Sequence, residues 1–220
     1  MTKIKVYVDV IGSPNYMDWL ISDRFEYIRK DSRKQTDLAI FTGGSDIDPS
    51  FYNETQHTST YSNLKRDKNE LGLFSIYKQD KVPMLGICRG SQLLTVANGG
   101  KLIQNVDGHA IHEPHSITLF DGSYVDIMST HHQMHFPYYM DEDDYRILGW
   151  STQELAQVYN FDATNNLIIE DIPGFKESEI IYFPNTRSLG IQGHPEMGGT
   201  PDETRKKMTQ LVEAMFKYLL

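Results

Sequence analysis

Along the first stretch of the chain apolar and polar residues alternate, with Ile4, Val6, Val8 and Val10 on one side, a pattern that predicts a β-strand. Ser13-Pro14 follows, a capping residue ahead of a proline suited to the first helical position, and predicts a short helix through Tyr16, Trp19 and Leu20. Phe25 to Ile28 and the run Asp37-Leu-Ala-Ile-Phe41 predict two more strands, the latter entering Gly43-Gly44. Over residues 64 to 79 the spacing becomes helical: Leu71, Phe74 and Tyr77 face a core, while Arg66, Asp67 and Glu70 lie about one turn apart on a shared face. That face reads equally well as solvated ion pairs or as functional groups. Met84, Leu85 and Ile87 form a short apolar run ending at Gly90, and from Ser91 the residues Leu93, Leu94, Val96 and Ala97 make a helix face that Gly99-Gly100 stops.

Farther on, residues 115 to 119 and the stretch through Val125 and Ile127 flank a Gly122-Ser123 turn, predicting a hairpin beside the main sheet. Ile147 to Trp150, Leu155 to Tyr159 and Ile180 to Phe183 predict late strands. Thr200-Pro-Asp-Glu203 has the form of a capping box before a last helix whose buried stripe is Met208, Leu211, Val212, Met215 and Leu219. Strands alternating with helices predict an α/β fold, a mostly parallel sheet with helices on both faces, and a ligand at the strands' carboxyl ends.

Composition narrows this picture. With 220 residues, 39% of them hydrophobic, the chain fits a single domain over 1–220 with a sizeable core. A formal charge of -9 argues against nucleic acid or an anionic membrane as a general partner and favours a small-molecule substrate. No apolar run reaches the ~18 residues of a membrane span, and the first residues lead into a strand pattern instead of a signal peptide. A lone cysteine permits no internal disulfide, which fits a reducing cytoplasm.

That cysteine, Cys88, falls where the Met84–Ile87 strand turns sharply into a helix, with Gly86 and Gly90 allowing close backbone approach. A helix N-terminus beneath a thiol favours thiolate, and the free Arg89 N–H can face a developing oxyanion. Taken alone, a buried structural cysteine explains Cys88 as well. The segment Leu189-Gly-Ile-Gln-Gly-His-Pro-Glu196 tips the balance. A thiol nucleophile needs a base and the base needs an orienting group, roles that suit His194 and Glu196.

Five segments in order, Thr42-Gly-Gly-Ser-Asp-Ile-Asp-Pro-Ser-Phe-Tyr52, Arg66-Asp67 with Glu70, Val82 to Leu94, Ser129-Thr-His-His-Gln133 and Gly193-His-Pro-Glu196, resemble the class I glutamine amidotransferase superfamily. Within it the chain is most similar to the γ-glutamyl hydrolase branch, peptidase C26. The resemblance implies a flavodoxin-like amidotransferase domain in which the Gly44 N–H completes the oxyanion hole opposite Arg89. It also implies that Gly43, Gln92, Ser129, Thr130 and His131 help hold a glutamyl group. The activity implied is hydrolysis of the γ-glutamyl amide of glutamine or a γ-glutamyl compound through a Cys88 thioester. One alternative is a glutaminase subunit passing ammonia to a separate synthase, and another is a non-catalytic glutamine sensor. A homodimer is compatible with either enzyme. Gly193 stands where relatives commonly carry a bulky aromatic, leaving room to enlarge the pocket or to loosen His194.

Metals and cofactors are not expected. Asp46 and Asp48 have no further ligands at a metal-binding spacing. His109, His112 and His115 recur every three residues, yet Pro114 interrupts a helix and no Cys or His-Glu-x-x-His pattern accompanies them. The polar stretch Glu54 to Asn63 reads as a mobile loop over the site. Met134 to Tyr139 reads as an acceptor pocket or an aromatic core, and Asp141 to Asp144 as a solvated turn.

Overall fold

The computed structural model describes residues 2–31 and 34–216. Its strands are Ile4–Ile11 (β1), Phe25–Arg29 (β2), Leu38–Phe41 (β3), Met84–Ile87 (β4), Lys101–Ile103 (β5), Asn105–Val106 (β6) and Glu113–Leu119 (β7). Tyr124–Ser129 (β8), Met134–Phe136 (β9), Arg146–Ser151 (β10), Tyr159–Asn160 (β11), Ser178–Phe183 (β12) and Ser188–Ile191 (β13) complete them. The α-helices are Leu64–Gln79 (α1), Arg89–Ala97 (α2) and Asp202–Ala214 (α3). Nine strands form one sheet in the order β2-β1-β3-β4-β13-β12-β10-β7-β8. The first five pair in parallel; from β13 to β8 every pairing is antiparallel. The sheet is therefore mixed, its parallel part confined to the half that carries the helical crossovers. The predicted hairpin β7–β8 is the sheet's own edge.

Alternation on the central strands explains the two layers. Leu38, Ile40, Leu85, Ile87, Leu189 and Ile191 join α3 and Trp19 on one face, while Ala39, Phe41 and Met84 meet α1 and α2 on the other. Strands buried on both faces read as continuous apolar runs, as these do. At Gly90 the backbone of α2 presses on β3, so a Cβ would lie 2.0 Å from the Phe41 carbonyl oxygen. No other residue fits there.

Four local expectations are corrected. After Ser13 only a 3-10 turn forms, Pro14–Met17, without a side-chain cap; the Trp19 indole N–H donates to the Tyr16 carbonyl, which a continuing helix would need. The strand expected over Leu155 to Tyr159 shrinks to Tyr159–Asn160, because Glu177 takes the amides of Leu155 and Ala156, and Asp107 those of Gln157 and Val158. Thr200 does not cap α3. Its hydroxyl donates to the His194 carbonyl and accepts from the Met128 N–H, leaving Pro201 at the cap position. Residues 54 to 63 are pinned: Lys101 pairs with Glu54, and the Gln104 amide bonds His57 N–H, Thr60 Oγ1 and the Thr55 carbonyl. Met208, Val212 and Met215 are buried as expected of the last helix, with Leu211 packed against them; Leu219 lies outside the described residues. Phe136 is buried in an aromatic cluster with Tyr138, Tyr159, Phe161 and Phe175, so that segment is core.

Candidate active site

Four loops leave the carboxyl ends of parallel strands at one edge of the sheet, and each brings one part of the site. After β4, Cys88 adopts φ 51° and ψ -114° between strand and helix, a strained conformation for a residue with a side chain. It is held there by its N–H bond to the Ile191 carbonyl at 2.8 Å. Gly86 makes the turn possible, since a Cβ would lie 2.4 Å from the Gly90 carbonyl oxygen. Arg89 is the first residue of α2, whose N–H has no partner within the helix.

After β13 comes His194. Its Nδ1 lies 2.7 Å from Glu196 Oε1, which fixes the ring, and its N–H bonds the Met128 carbonyl at 2.9 Å. Burial opposes a charge on this imidazole. The Cys88 sulfur, within hydrogen-bond reach, and the Glu196 carboxylate override that and push its pKa up to about 10. The arrangement favours an imidazolium facing the Cys88 sulfur. Space beside Gly193 is filled by Ile127, whose side-chain carbons lie 2.8 to 2.9 Å from where a Cβ would stand. Neither an enlarged pocket nor a loosened His194 results.

After β3, the Gly43-Gly44 turn brings Gly44 to the cleft. Arg66 Nη2 donates to the carbonyls of Gly43 at 3.0 Å and Thr42 at 3.2 Å. In a trans peptide C=O and N–H point oppositely, so pulling the Gly43 carbonyl toward Arg66 turns the Gly44 N–H away from it, toward the cleft that Gly44 lines. Gly44 has φ +142°, and a Cβ would stand 2.1 Å from Arg66 Nη1. Arg66 is braced by Glu70 at 2.7 Å, and Glu70 and Asp67 both pair with the Arg89 guanidinium, whose Nε donates to the Ser45 carbonyl at 3.0 Å. Arg89 is 1% exposed and Asp67 0%. The shared face of α1 is thus a buried clamp holding the Gly43–Ser45 loop against α2. Asp46 and Asp48 act in the same loop: Asp46 accepts from the Tyr61 N–H, and Asp48 caps the turn at Ser50.

The fourth loop follows β1 and carries Tyr16, whose importance the aromatic spacing did not reveal. Its hydroxyl stands 2.6 Å from the position of a Gly43 Cβ, and its ring meets His194 edge-on at 6.4 Å between centroids. Burial first, then the charges of Glu196 and Cys88, hold this phenol in its protonated form. The available signal was positional: Tyr16 follows the end of a parallel strand, as Gly44, Cys88 and His194 do.

A cleft of about 430 Å³ joins Gly44, Ser45, Cys88, Arg89, Gln92, Thr130, His131, His132, Gln133 and His194. Of the residues the sequence nominated, Cys88, His194, Glu196, Gly44 and Arg89 come together as expected. The binding candidates divide. Gln92 lines the cleft and donates to the Gln133 carbonyl at 3.1 Å. Thr130 lines it too, with its hydroxyl 2.8 Å from His194 Nε2. Ser129 is fully buried, with its hydroxyl on the His109 carbonyl, and Gly43 packs behind Tyr16, so neither borders the cleft. His131 lines the wall with its ring turned inward, toward Glu179.

The family model for Peptidase C26 matches residues 21–196. The chain belongs to the peptidase C26 family. Protein NtpR of Enterococcus hirae is 28% identical over 183 residues, covering 77% of this chain and 71% of NtpR. The carbamoyl phosphate synthase small chain of Pseudomonas aeruginosa is 26% identical over 61% of this peptidase C26 chain, which spans only 30% of that relative. Among solved structures, a glutamine amidotransferase from Thermotoga maritima superposes with a TM-score of 0.59 at 14% identity, covering 99% of this chain and 100% of the other. That likeness establishes the fold, that of glutamine amidotransferases. Among the described residues no helix is long and apolar enough to cross a membrane.

Proposed function

We propose that the protein hydrolyses the γ-glutamyl amide of glutamine or a γ-glutamyl compound, with Cys88 as nucleophile. The observation that carries this reading is the strained Cys88 elbow facing the His194–Glu196 pair, with Gly44 and Arg89 on the cleft beside it. The Cys88 thiolate attacks the side-chain carbonyl, and the amides of Gly44 and Arg89 receive the negative charge that develops on oxygen. His194 gives its proton to the leaving amine or ammonia, and a γ-glutamyl thioester forms. Water deprotonated by His194 then releases glutamate, while Glu196 keeps the imidazole oriented throughout. Thr130 shares Nε2 with the nucleophile, so its hydroxyl fixes the ring from the side opposite Glu196.

The family is equally consistent with a second use of the same chemistry, delivery of the ammonia to a synthase. Similarity to the small chain of carbamoyl phosphate synthase supports that version.

Intact-mass spectrometry after exposure to diazo-oxo-norleucine, a glutamine-analogue label, tests the common step. A single adduct is expected on the wild type and none on Cys88→Ala; a folded wild-type chain that takes no adduct refutes a glutamyl-reactive thiol. Activity of the isolated chain on γ-glutamyl amines supports the hydrolase, whereas glutaminase activity that rises with a co-purifying synthase supports the subunit.

A further inference from the structure

Behind the cleft wall, away from Cys88, a second group of side chains converges that the proposed reaction does not use. His109 precedes β7, His115 lies on β7, His131 follows β8 and Glu179 lies on β12, so four separate segments meet at one point. All four are buried, at 8% exposure or less, and their potential ligand atoms lie within 4.8 Å of one another. We propose that His109, His115, His131 and Glu179 form a closed four-ligand site for a divalent transition metal of the zinc class.

Distances support this directly. Glu179 Oε1 lies 3.2 Å from His109 Nδ1, 3.4 Å from His115 Nε2 and 3.4 Å from His131 Nε2. Metal–ligand bonds of about 2.05 Å at tetrahedral angles place neighbouring ligand atoms about 3.3 Å apart, so these are three edges of such a tetrahedron. Yet these contacts do not have hydrogen-bond geometry: both His109 nitrogens, both His115 nitrogens, His131 Nε2 and Glu179 Oε2 have no hydrogen-bond partner among the described residues. Six buried polar atoms without a partner in one place are rare, and an ion bound to these groups would account for the imidazole nitrogens that face Glu179.

Around two of the three imidazoles, His109 and His131, the outer layer has the form that a metal site requires. A ligating imidazole directs its other nitrogen to a carboxylate or carbonyl, which sets the tautomer. His131 Nδ1 donates to the Gln133 carbonyl at 2.9 Å, leaving the Nε2 lone pair toward Glu179. His109 Nε2 lies 3.2 Å from Glu177 Oε2, leaving Nδ1 toward the same point. Glu177 is itself fixed by the amides of Leu155 and Ala156 and by the Tyr159 hydroxyl. Three imidazoles and one carboxylate suit zinc, cobalt or nickel better than the oxygen-seeking calcium or magnesium. Because four protein groups complete the coordination in a buried place, the role is structural. The ion would tie β7 and β12 to the Ser129–Gln133 wall, one residue from the Thr130 hydroxyl that touches His194.

The spacing argument from sequence pointed elsewhere because it grouped His109 and His115 with His112. His112 is exposed, at φ 57°, and does not join the cluster; His131 and Glu179 were too distant in sequence to be seen as partners. This proposal does not depend on the γ-glutamyl reaction.

The test uses the full chain, purified from zinc-supplemented culture and analysed by plasma mass spectrometry for metals. One zinc per chain is expected, with none after a strong chelator and a lower melting temperature in the stripped protein. Titrating the stripped protein with Co2+ should give the intense visible bands of tetrahedral cobalt at one equivalent. His115→Gln and Glu179→Gln should abolish them. Cys88→Ala and His112→Gln should retain them, and Glu177→Gln should weaken binding by roughly 10- to 100-fold. Stripped wild type that takes up neither Co2+ nor Zn2+ overturns the site whether or not the variants fold. Stoichiometric metal that survives in folded His115→Gln and Glu179→Gln overturns it equally.

Discussion

Arg66 is absent from the lining of the cleft, yet in the proposed mechanism it orients the peptide that carries the Gly44 N–H. Arg66→Met removes the hydrogen bond that fixes the Gly43-Gly44 peptide, to the Gly43 carbonyl at 3.0 Å, and a second on the preceding peptide, to the Thr42 carbonyl at 3.2 Å. A hydrogen bond to a charged group contributes about 1.5 kcal/mol at the low end, so about that much bias toward the productive orientation is lost. One oxyanion donor is typically worth about 2.7–4 kcal/mol, so the loss is roughly half of the contribution of the Gly44 N–H. At 1.36 kcal/mol per decade, kcat/KM should fall about 10-fold. Stability should fall by a similar amount or less. Glu70 keeps its pairing with Arg89, and the Arg66 side chain is about a quarter exposed, so a loss of about 1 kcal/mol, or 2–4 °C in Tm, is expected. The assay is release of nitroaniline from γ-glutamyl-p-nitroanilide, with Tm measured in parallel and Arg66→Lys as a partial rescue. A fall in kcat/KM below threefold with an unchanged Tm would refute the claim that Arg66 aims the Gly44 N–H.

Three further outcomes follow from the same coordinates. Gly90→Ala puts a Cβ 2.0 Å from a backbone oxygen that has no room to retreat, so it should cost about 3 kcal/mol or more and yield little folded protein; a soluble variant with wild-type Tm would contradict the packing. The raised His194 pKa stabilises the fold fully below its ordinary value of 6.5 and ceases to do so as pH rises through about 10; Glu196→Gln should therefore cost more in urea unfolding at pH 6.5 than at pH 10.5, and should move the alkaline limb of kcat/KM to lower pH. A cost independent of pH would show that Glu196 does not hold the charged imidazole. Gly193→Ala should destabilise through Ile127, and a double-mutant cycle with Ile127→Ala should return a coupling of about 0.5–3 kcal/mol; additive losses would show that the two do not share that space.

What could be read from the sequence was whatever depends on neighbours along the chain. The β4–α2 elbow is legible because an apolar run, Gly86, Cys88 and Gly90 stand within a few residues of each other, and α1 because Leu71, Phe74 and Tyr77 recur at helical spacing. The parallel half of the sheet follows from that alternation. The antiparallel half was less clear, since Glu177 and Asp107 intercept amides of the expected Leu155–Tyr159 strand from far along the chain. The same distance hid the site's supports. Arg89 was chosen for its N–H, while its guanidinium, clamped by Asp67 and Glu70 across 22 and 19 residues, gave no local sign of being buried. The inward turn of His131 was invisible for the same reason.

The two halves of the sheet carry different parts of the function. Gly44, Cys88 and His194 all follow parallel strands, where close strand spacing and the glycine contacts at Gly86 and Gly90 leave little freedom. Thr130 to Gln133 follow β8, the outermost strand, yet three of that wall's side chains reach into the core: His131 to Glu179, Gln133 to Thr60 and Thr130 to His194. An edge strand has one neighbour only, so a wall built on it needs such tethers to hold a position relative to the nucleophile. Substitutions that loosen the tethers should therefore alter binding of the glutamyl group while leaving the Cys88 conformation intact. Changes in the Arg66–Glu70–Arg89 clamp act on the chemical step instead, because that clamp sets only the oxyanion loop and the nucleophile helix.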